Sequence, residues 1–244
     1  MNLLECHGVG KVYGTLTALD KADLQVGANE FHGLIGPNGS GKTTLLKCIA
    51  GAELPTRGTV SLGGADITDA TPSDRARAGL SLKFQITAVL AELSVYDNVL
   101  LAMQSQGSVW SLMLSRSRRS LRERIMTTLE RFNLADRSDD IAGFLSHGQQ
   151  QWLEIAMALA GEPKLLLLDE PTAGMSQQER RVTGELLAPI KKTCSLLIVE
   201  HDLDFIKDIC DTLTVLDQGQ IVASGPTREV QENVRVKDAY LNHV

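Results

Sequence analysis

The sequence predicts an α/β fold: a mainly parallel, buried sheet, an N-terminal antiparallel β region, and an α-helical subdomain inserted into the chain. Three observations carry this reading. The runs Leu165-Leu166-Leu167-Leu168 and Leu196-Leu197-Ile198-Val199 are apolar at every position and are separated by a helical pattern, as expected for parallel strands buried on both faces. The stretch Gly36-Pro37-Asn38-Gly39-Ser40-Gly41-Lys42-Thr43-Thr44 fits G-x-x-x-x-G-K-[ST] and stands between a short apolar run and a helical one. From about residue 88 to 161 the periodicity turns helical before strand character returns.

Taken in order, residues 2–30 alternate weakly and carry turn signals at Gly8, Gly10, Gly14 and Gly27, which predicts two or three antiparallel strands. Phe31-His32-Gly33-Leu34-Ile35 reads as a strand and residues 43–50 as a helix. A turn at Pro55-Thr56-Arg57-Gly58 leads to a strand over residues 59–64, and residues 80–84 form another candidate, with Gln85 at its end. Ser94 is placed to cap a helix over 95–102. Leu121, Ile125, Leu129 and Phe132 share a helical face. The neighbouring Arg116, Arg118, Arg119, Arg122 and Arg124 suit a solvated face or contact with a membrane surface or an acidic partner. Trp110, Leu112, Met113 and Leu114 suit core or contact surface. Helices are expected over 177–190, 203–210 and from about 227, and Asp217-Gln218-Gly219 marks a hairpin between strands at 212–216 and 220–224. The resulting organisation is one domain over 1–244, with core segments 1–87 and 162–244 and a helical subdomain over 88–161.

The chemistry starts at the glycine-rich loop. Phosphate oxygens need many donors in a small concave space, and Gly36, Gly39 and Gly41 let the backbone turn its N–H groups inward. Pro37, Asn38, Ser40 and Thr44 complete the loop. Lys42 supplies a charge for the β- and γ-phosphates, the Thr43 hydroxyl a ligand for Mg²⁺, and the following helix a favourable dipole. Asp169 and Glu170 end an apolar strand at the edge where α/β sheets bind ligands; Asp169 suits Mg²⁺ and Glu170 an attacking water. His201 follows the last apolar strand and is a candidate γ-phosphate sensor. Leu145-Ser146-His147-Gly148-Gln149 opens a second helix, whose N-terminus forms another anion site by the same physics. One nucleotide does not need two such sites, whereas two chains facing head to tail would use both.

A net charge of −6 argues against nonspecific nucleic-acid binding as the main task. The cysteines, Cys6, Cys48, Cys194 and Cys210, have no metal-ligand spacing and are expected to be buried free thiols in a reducing compartment. The N-terminus does not read as a signal peptide and no apolar run is long enough to cross a bilayer, so a cytoplasmic chain is expected.

With these motifs in this order, the chain resembles the ATP-binding subunits of ABC transporters over essentially its full length. The resemblance implies a RecA-like P-loop NTPase core and an ATPase using ATP and Mg²⁺. It assigns Gly36 to Thr44 to the phosphates; Thr43, Gln85 and Asp169 to the metal; Glu170, His201 and Gln85 to catalysis; Tyr13 to stacking on adenine; and Ser146, Gly148 and Gln149 to a partner's ATP. The implied partners are a second ATPase subunit, the same chain or a sister, and two integral membrane permease subunits, with a periplasmic solute-binding protein acting indirectly and no nucleic acid. The implied place is the inner face of the cell membrane, with a permease helix received near Gln85. Two positions depart from the family pattern. Ser176 stands where many members have aspartate, a change bearing on communication between the two ATP sites. His147 stands where most have glycine, and it is expected to keep an ordinary backbone with its ring at the dimer surface, so that His147→Gly costs little. The run from Leu145 to Glu154 is similar to the ATPases of urea uptake, within the branched-chain amino-acid uptake group, which makes import of such solutes the expected function. An exporter ATPase, or a soluble ATPase of this type acting on DNA or ribosomes, is the alternative.

Overall fold

The computed structural model describes residues 2–83, 89–105, 118–233 and 236. Gln85, Trp110, Leu112, Met113, Leu114 and Arg116 lie outside them. Two sheets make the frame. The first is antiparallel, in the order β2-β1-β4-β5, from β1 (Asn2–Tyr13), β2 (Leu16–Gly27), β4 (Arg57–Leu62) and β5 (Ala65–Asp66). The N-terminal region is thus two long strands, and the strand after the glycine-rich loop joins them rather than the parallel sheet. The second sheet has the order β10-β9-β3-β8-β7-β6. Its β3 (Phe31–Ile35), β6 (Leu80–Lys83), β7 (Leu165–Asp169), β8 (Ser195–Val199) and β9 (Thr212–Asp217) run parallel, and β10 (Gln220–Pro226) returns antiparallel at one edge.

The continuous apolar runs have the cause expected of them: β3, β7 and β8 are buried at every position. Successive side chains alternate between faces and feed two cores. Leu165, Leu167, Leu197 and Val199 pack between the sheets with α1 (Lys42–Ala50), whereas Leu166, Leu168, Leu196 and Ile198 face the opposite core. That second core also holds Val95 and Val99 of α3 (Val95–Ser105), Ile125 and Leu129 of α4 (Arg118–Arg131), and Leu153 and Ile155 of α5 (His147–Leu159). These three helices lie between β6 and β7 in the chain. The Ser94 hydroxyl caps α3 by accepting from Asp97 N at 3.0 Å.

Some boundaries move for local reasons. α6 (Gln177–Leu187) gives way at Ala188 to a 3₁₀ turn containing Pro189, which lacks the N–H that an α-helix interior needs. α7 spans Leu203–Ile209 and α8 spans Thr227–Glu232. One helix, α2 (Pro72–Ala78), lies in a stretch for which no helix is expected above. It carries Arg75, which is fully buried. The Arg75 guanidinium donates to Cys48 O at 2.6 Å, Ile49 O at 2.7 Å, Thr68 O at 2.6 Å and Ala70 O at 3.0 Å. It thereby satisfies carbonyls in the last turn of α1, the helix that carries the loop. All four cysteines are buried and free.

Candidate nucleotide site

Strand register gathers the expected residues. Leu34 pairs with Val199, and Val199 pairs with Asp169, so β3, β8 and β7 end at one level. From those ends leave the loop 36–41, the pair Glu200-His201, and Asp169-Glu170, at the carboxyl edge of the parallel sheet. A cavity of about 510 Å³ opens there, lined by Asn38, Gly39, Gly41, Lys42, Thr43, Thr44, Glu170 and His201, and also by Tyr13, Thr17, Ala18, Gln218 and Gly219 among others.

The loop needs its glycines for two separate reasons. Gly39 and Gly41 hold φ of 79° and 108°, where side chains are disfavoured. A Cβ at Gly36 would stand 2.0 Å from Leu216 O, so β9 closes the space beneath the loop. Gly41 is also the N-cap of α1, and no side chain caps that helix. Leu45 N donates to Gly41 O at 2.8 Å, so the preceding amides of Lys42, Thr43 and Thr44 have no acceptor within the helix. Lys42 is buried and donates to Gly36 O at 2.7 Å and Pro37 O at 2.9 Å, which leaves one N–H of the ammonium for an incoming oxygen. Burial pushes the Lys42 pKa down, while Glu170 and Asp169 hold it up, so the two carboxylates are electrostatic neighbours of the ammonium. The Ser40 hydroxyl is buried without a hydrogen-bond partner among the described residues. Orphan amides, a buried cation and an unpartnered hydroxyl on one loop form a donor array that fits a polyphosphate.

Glu170 occupies a left-handed backbone conformation, φ 49°, which is costly for a side chain of this kind and places its carboxylate off the end of β7. His201 Nε2 lies 2.8 Å from Glu170 Oε1. Asp169 is buried at the strand end. Among the described residues no cluster of three or more His, Cys, Asp or Glu could hold a metal. The donor set, the Thr43 hydroxyl with the single carboxylate Asp169, suits Mg²⁺, which keeps waters and shares phosphate oxygens instead of demanding a protein cage.

Tyr13 is partly exposed on the cavity wall, with the Lys11 ammonium 5.0 Å from its ring centroid. Another part of the wall went unnoticed in the sequence: Gln218 and Gly219 form the β9–β10 hairpin turn, and Gly219 N donates to Ser40 O at 2.9 Å. The D-Q-G turn signal was there, but nothing local marks it as a neighbour of the loop.

Ser146, Gly148 and Gln149 are not among the residues lining this cavity; they sit at the start of α5. Ser146 Oγ accepts from Gln149 N at 3.2 Å, and Gln149 Oε1 accepts from Ser146 N at 3.1 Å and from Arg137 at 2.7 Å. His147 has the ordinary backbone of a first helical residue and an exposed side chain. Its ring is not idle, however: Nε2 lies 3.1 Å from Ala173 O of the same chain. Ser176 takes the N-cap of α6, accepting from Glu179 N at 3.3 Å, which is a role aspartate also fills.

The chain matches the ABC transporter family over residues 19–173. It is 33% identical to the high-affinity branched-chain amino acid transport ATP-binding protein LivG of Salmonella typhimurium, over 98% of this chain and 97% of that one. It is 35% identical to the methionine import ATP-binding protein MetN of Streptomyces coelicolor, over 93% of this chain and 67% of that one. Among solved structures it is similar to the ADP conformation of MJ1267, an ATP-binding cassette of an ABC transporter, with a TM-score of 0.89, 31% identity and 99% of each chain covered. A dimeric post-hydrolysis structure of the cassette MJ0796, bound to ADP and Pi, shares the fold at a TM-score of 0.81 and 24% identity, over 93% of this chain and 99% of that one.

Proposed function

Because this chain belongs to the ABC transporter family, we propose that it is the ATP-hydrolysing subunit of a solute importer and that the residues around the 510 Å³ cavity carry out the reaction. One observation carries the assignment most directly. The uncapped start of α1 with Lys42 and the Glu170–His201 pair line the same cavity, so phosphate seat and hydrolytic group face one space.

The loop amides and Lys42 bind the β- and γ-phosphates, and Tyr13 stacks on the base. Thr43 and Asp169 hold Mg²⁺, which when bound neutralises charge on the transferring phosphoryl group. Gln85 joins that set on the family pattern. Glu170 orients and polarises the attacking water, and the bond from His201 fixes the carboxylate; the products are ADP and phosphate. His201 then has the γ-phosphate within the same cavity as its second partner.

The wider assembly follows from the second helix terminus. Ser146, Gly148 and Gln149 serve the nucleotide of a partner ATPase subunit in a head-to-tail pair, and the pair works beneath two membrane permease subunits. The core, 1–87 and 162–244, moves against the helical subdomain, 88–161, as the pair closes. Among the described residues no helix is long and apolar enough to cross a membrane, so passage of solute falls to the permeases. The names of the relatives support branched-chain amino acids or a similar small solute as the cargo.

Glu170→Gln tests the mechanism. It keeps the side chain's shape and removes its charge, so hydrolysis is expected to fall about a hundredfold or more while MgATP still binds and drives a stable dimer. Phosphate release and light scattering read the two effects. Hydrolysis at the wild-type rate would remove Glu170 from the mechanism.

A further inference from the structure

The segment from Glu170 to α6 hangs on side chains that lie outside it. Thr172 donates from its N and Oγ1 to the buried Glu200, at 2.8 and 2.6 Å. Met175 O accepts from Arg180 Nε at 3.1 Å. Between these two anchors, Ala173 O has His147 Nε2 at 3.1 Å and Gln151 Nε2 at 3.2 Å. Gln151 Nε2 also lies 3.2 Å from His147 Nε2. With the ring protonated at Nε2, imidazole and amide each donate to one lone pair of the carbonyl, and with the proton on Nδ1 the amide bridges ring and carbonyl by donating to both. Gly174 keeps the seat open: at φ 72°, a Cβ there would stand 3.1 Å from His147 Nε2. On the other flank, a Cβ at the buried Gly148 would meet Glu179 Oε1 at 2.7 Å, so the first turns of α5 and α6 are packed together.

Two functional groups are therefore joined within one chain. Ala173 is three positions after Glu170, and His147 is next to Ser146. Because Glu200 and Arg180 hold the segment on either side of Ala173, a shift of the Glu170 turn cannot be absorbed locally and reaches the start of α5 through the His147 contact. We propose that His147 is a positioning residue that locks the N-terminus of α5 to the segment after Glu170, so that the state of one chain's hydrolytic turn is passed to the nucleotide that its Ser146 serves in the partner. This rests on the head-to-tail reading above. It reverses the expectation that the ring is dispensable.

The test uses the full chain, alone and in the Glu170→Gln background, with three replacements at 147. His147→Gly removes ring and donor; His147→Phe keeps a ring without a donor; His147→Gln keeps a donor at comparable reach. Loss of one hydrogen bond at a coupling point is expected to lower kcat about fivefold or more in His147→Gly and His147→Phe. The MgATP-driven dimer of the double variants with Glu170→Gln should weaken by a similar factor. His147→Gln should recover at least half of each. MgADP affinity of the single chain and its melting temperature should stay close to wild type in all three, which separates coupling from folding. Wild-type kcat and dimer in His147→Gly would overturn the proposal, as would rescue by phenylalanine but not glutamine. If Glu170→Gln with His147 intact forms no dimer, either with itself or with a sister ATPase subunit, the head-to-tail reading fails and this proposal with it. If that dimer forms and His147→Gly is silent, only the lock fails.

Discussion

α1 and α5 begin with the same physics and end in opposite conditions. Each presents amides and a positive dipole end. At α1 the N-cap is Gly41, and no side chain occupies the donors. At α5 the N-cap is Ser146, and a capping box with Gln149 takes up the amides of Ser146 and Gln149, leaving those of His147 and Gly148 at the helix start. Arg137 holds the Gln149 side chain and is itself paired with Asp140 at 2.7 Å. α6 repeats the closed arrangement with Ser176 and Glu179. A helix start becomes an anion seat in the free chain when glycine withholds the cap, not by being a helix start. In one chain the helix start is thus uncapped at α1 and partly closed by its own side chains at α5, so on the function proposed above nucleotide is expected to engage the loop first and α5 only when a partner brings a phosphate to it.

The largest effect is expected from giving α1 the cap that α5 has. Gly41→Ser must place a Cβ 2.6 Å from Ala18 O and 2.9 Å from Leu19 Cδ2, at φ 108°. The backbone strain alone is worth about 1–3 kcal/mol, and any relaxed form puts a hydroxyl among the donors. MgADP affinity is expected to fall more than about tenfold, since 1.4 kcal/mol already corresponds to that factor. Calorimetric titration alongside thermal melting reads both. Unchanged affinity would mean that the open start of α1 is not the phosphate seat.

The two helix starts also differ in how readable they were. The loop before α1 constrains backbone shape, so its demands appear as glycines at fixed spacing. The strands β7 and β8 were equally plain, because burial on both faces leaves no polar position inside them. What sequence did not show was whatever depends on distant chain meeting distant chain. Gly219 reaches Ser40, and Ala18 approaches Gly41, through backbone atoms that carry no residue signature. α2 was spelled out by Thr71 as cap, Pro72 in the first turn and Gly79 at the end, but seven residues show too little periodicity to register. Arg75 reads as a surface charge until its four carbonyl partners are seen, and Glu200 as an exposed acid at a strand end until Thr172 is found on it. The closed state of α5 was hidden in the same way: Ser-x-x-Gln is a capping box in sequence, yet the same residues read as an open anion site.

A smaller effect sharpens the α1 side. If nucleotide settles there first, its base needs a seat on the same cavity, and Tyr13 is the aromatic on that wall. Tyr13→Ala should weaken MgADP binding to the single chain by about 0.5–1.5 kcal/mol, and Tyr13→Phe should retain most of it. The Lys11 ammonium beside the ring makes the hydroxyl dispensable for the contact but not the ring itself. Equal affinities across wild type, Phe and Ala would place the base elsewhere.

The smallest effect is expected at α5, and its smallness is the informative part. Ser146→Gly removes the hydroxyl that accepts from Gln149 N, yet glycine is itself an acceptable N-cap and leaves the donor free for water. In the single chain this should cost only a few tenths of a kcal/mol of stability. MgADP affinity should not change, because α1 lies in the separate cavity. Ser146→Ala, a poor cap, should cost about 1 kcal/mol and be equally silent in nucleotide affinity. Both should lose hydrolysis and the ATP-driven dimer by far more than these stabilities predict, since the hydroxyl then has a partner's nucleotide to meet. The decisive reading is the gap between the two assays. A fall in single-chain MgADP affinity would mean that α5 shares the first site, and the contrast between an open and a self-closed helix start would be wrong. Full dimer formation without the hydroxyl would mean that Ser146 caps α5 and does nothing more.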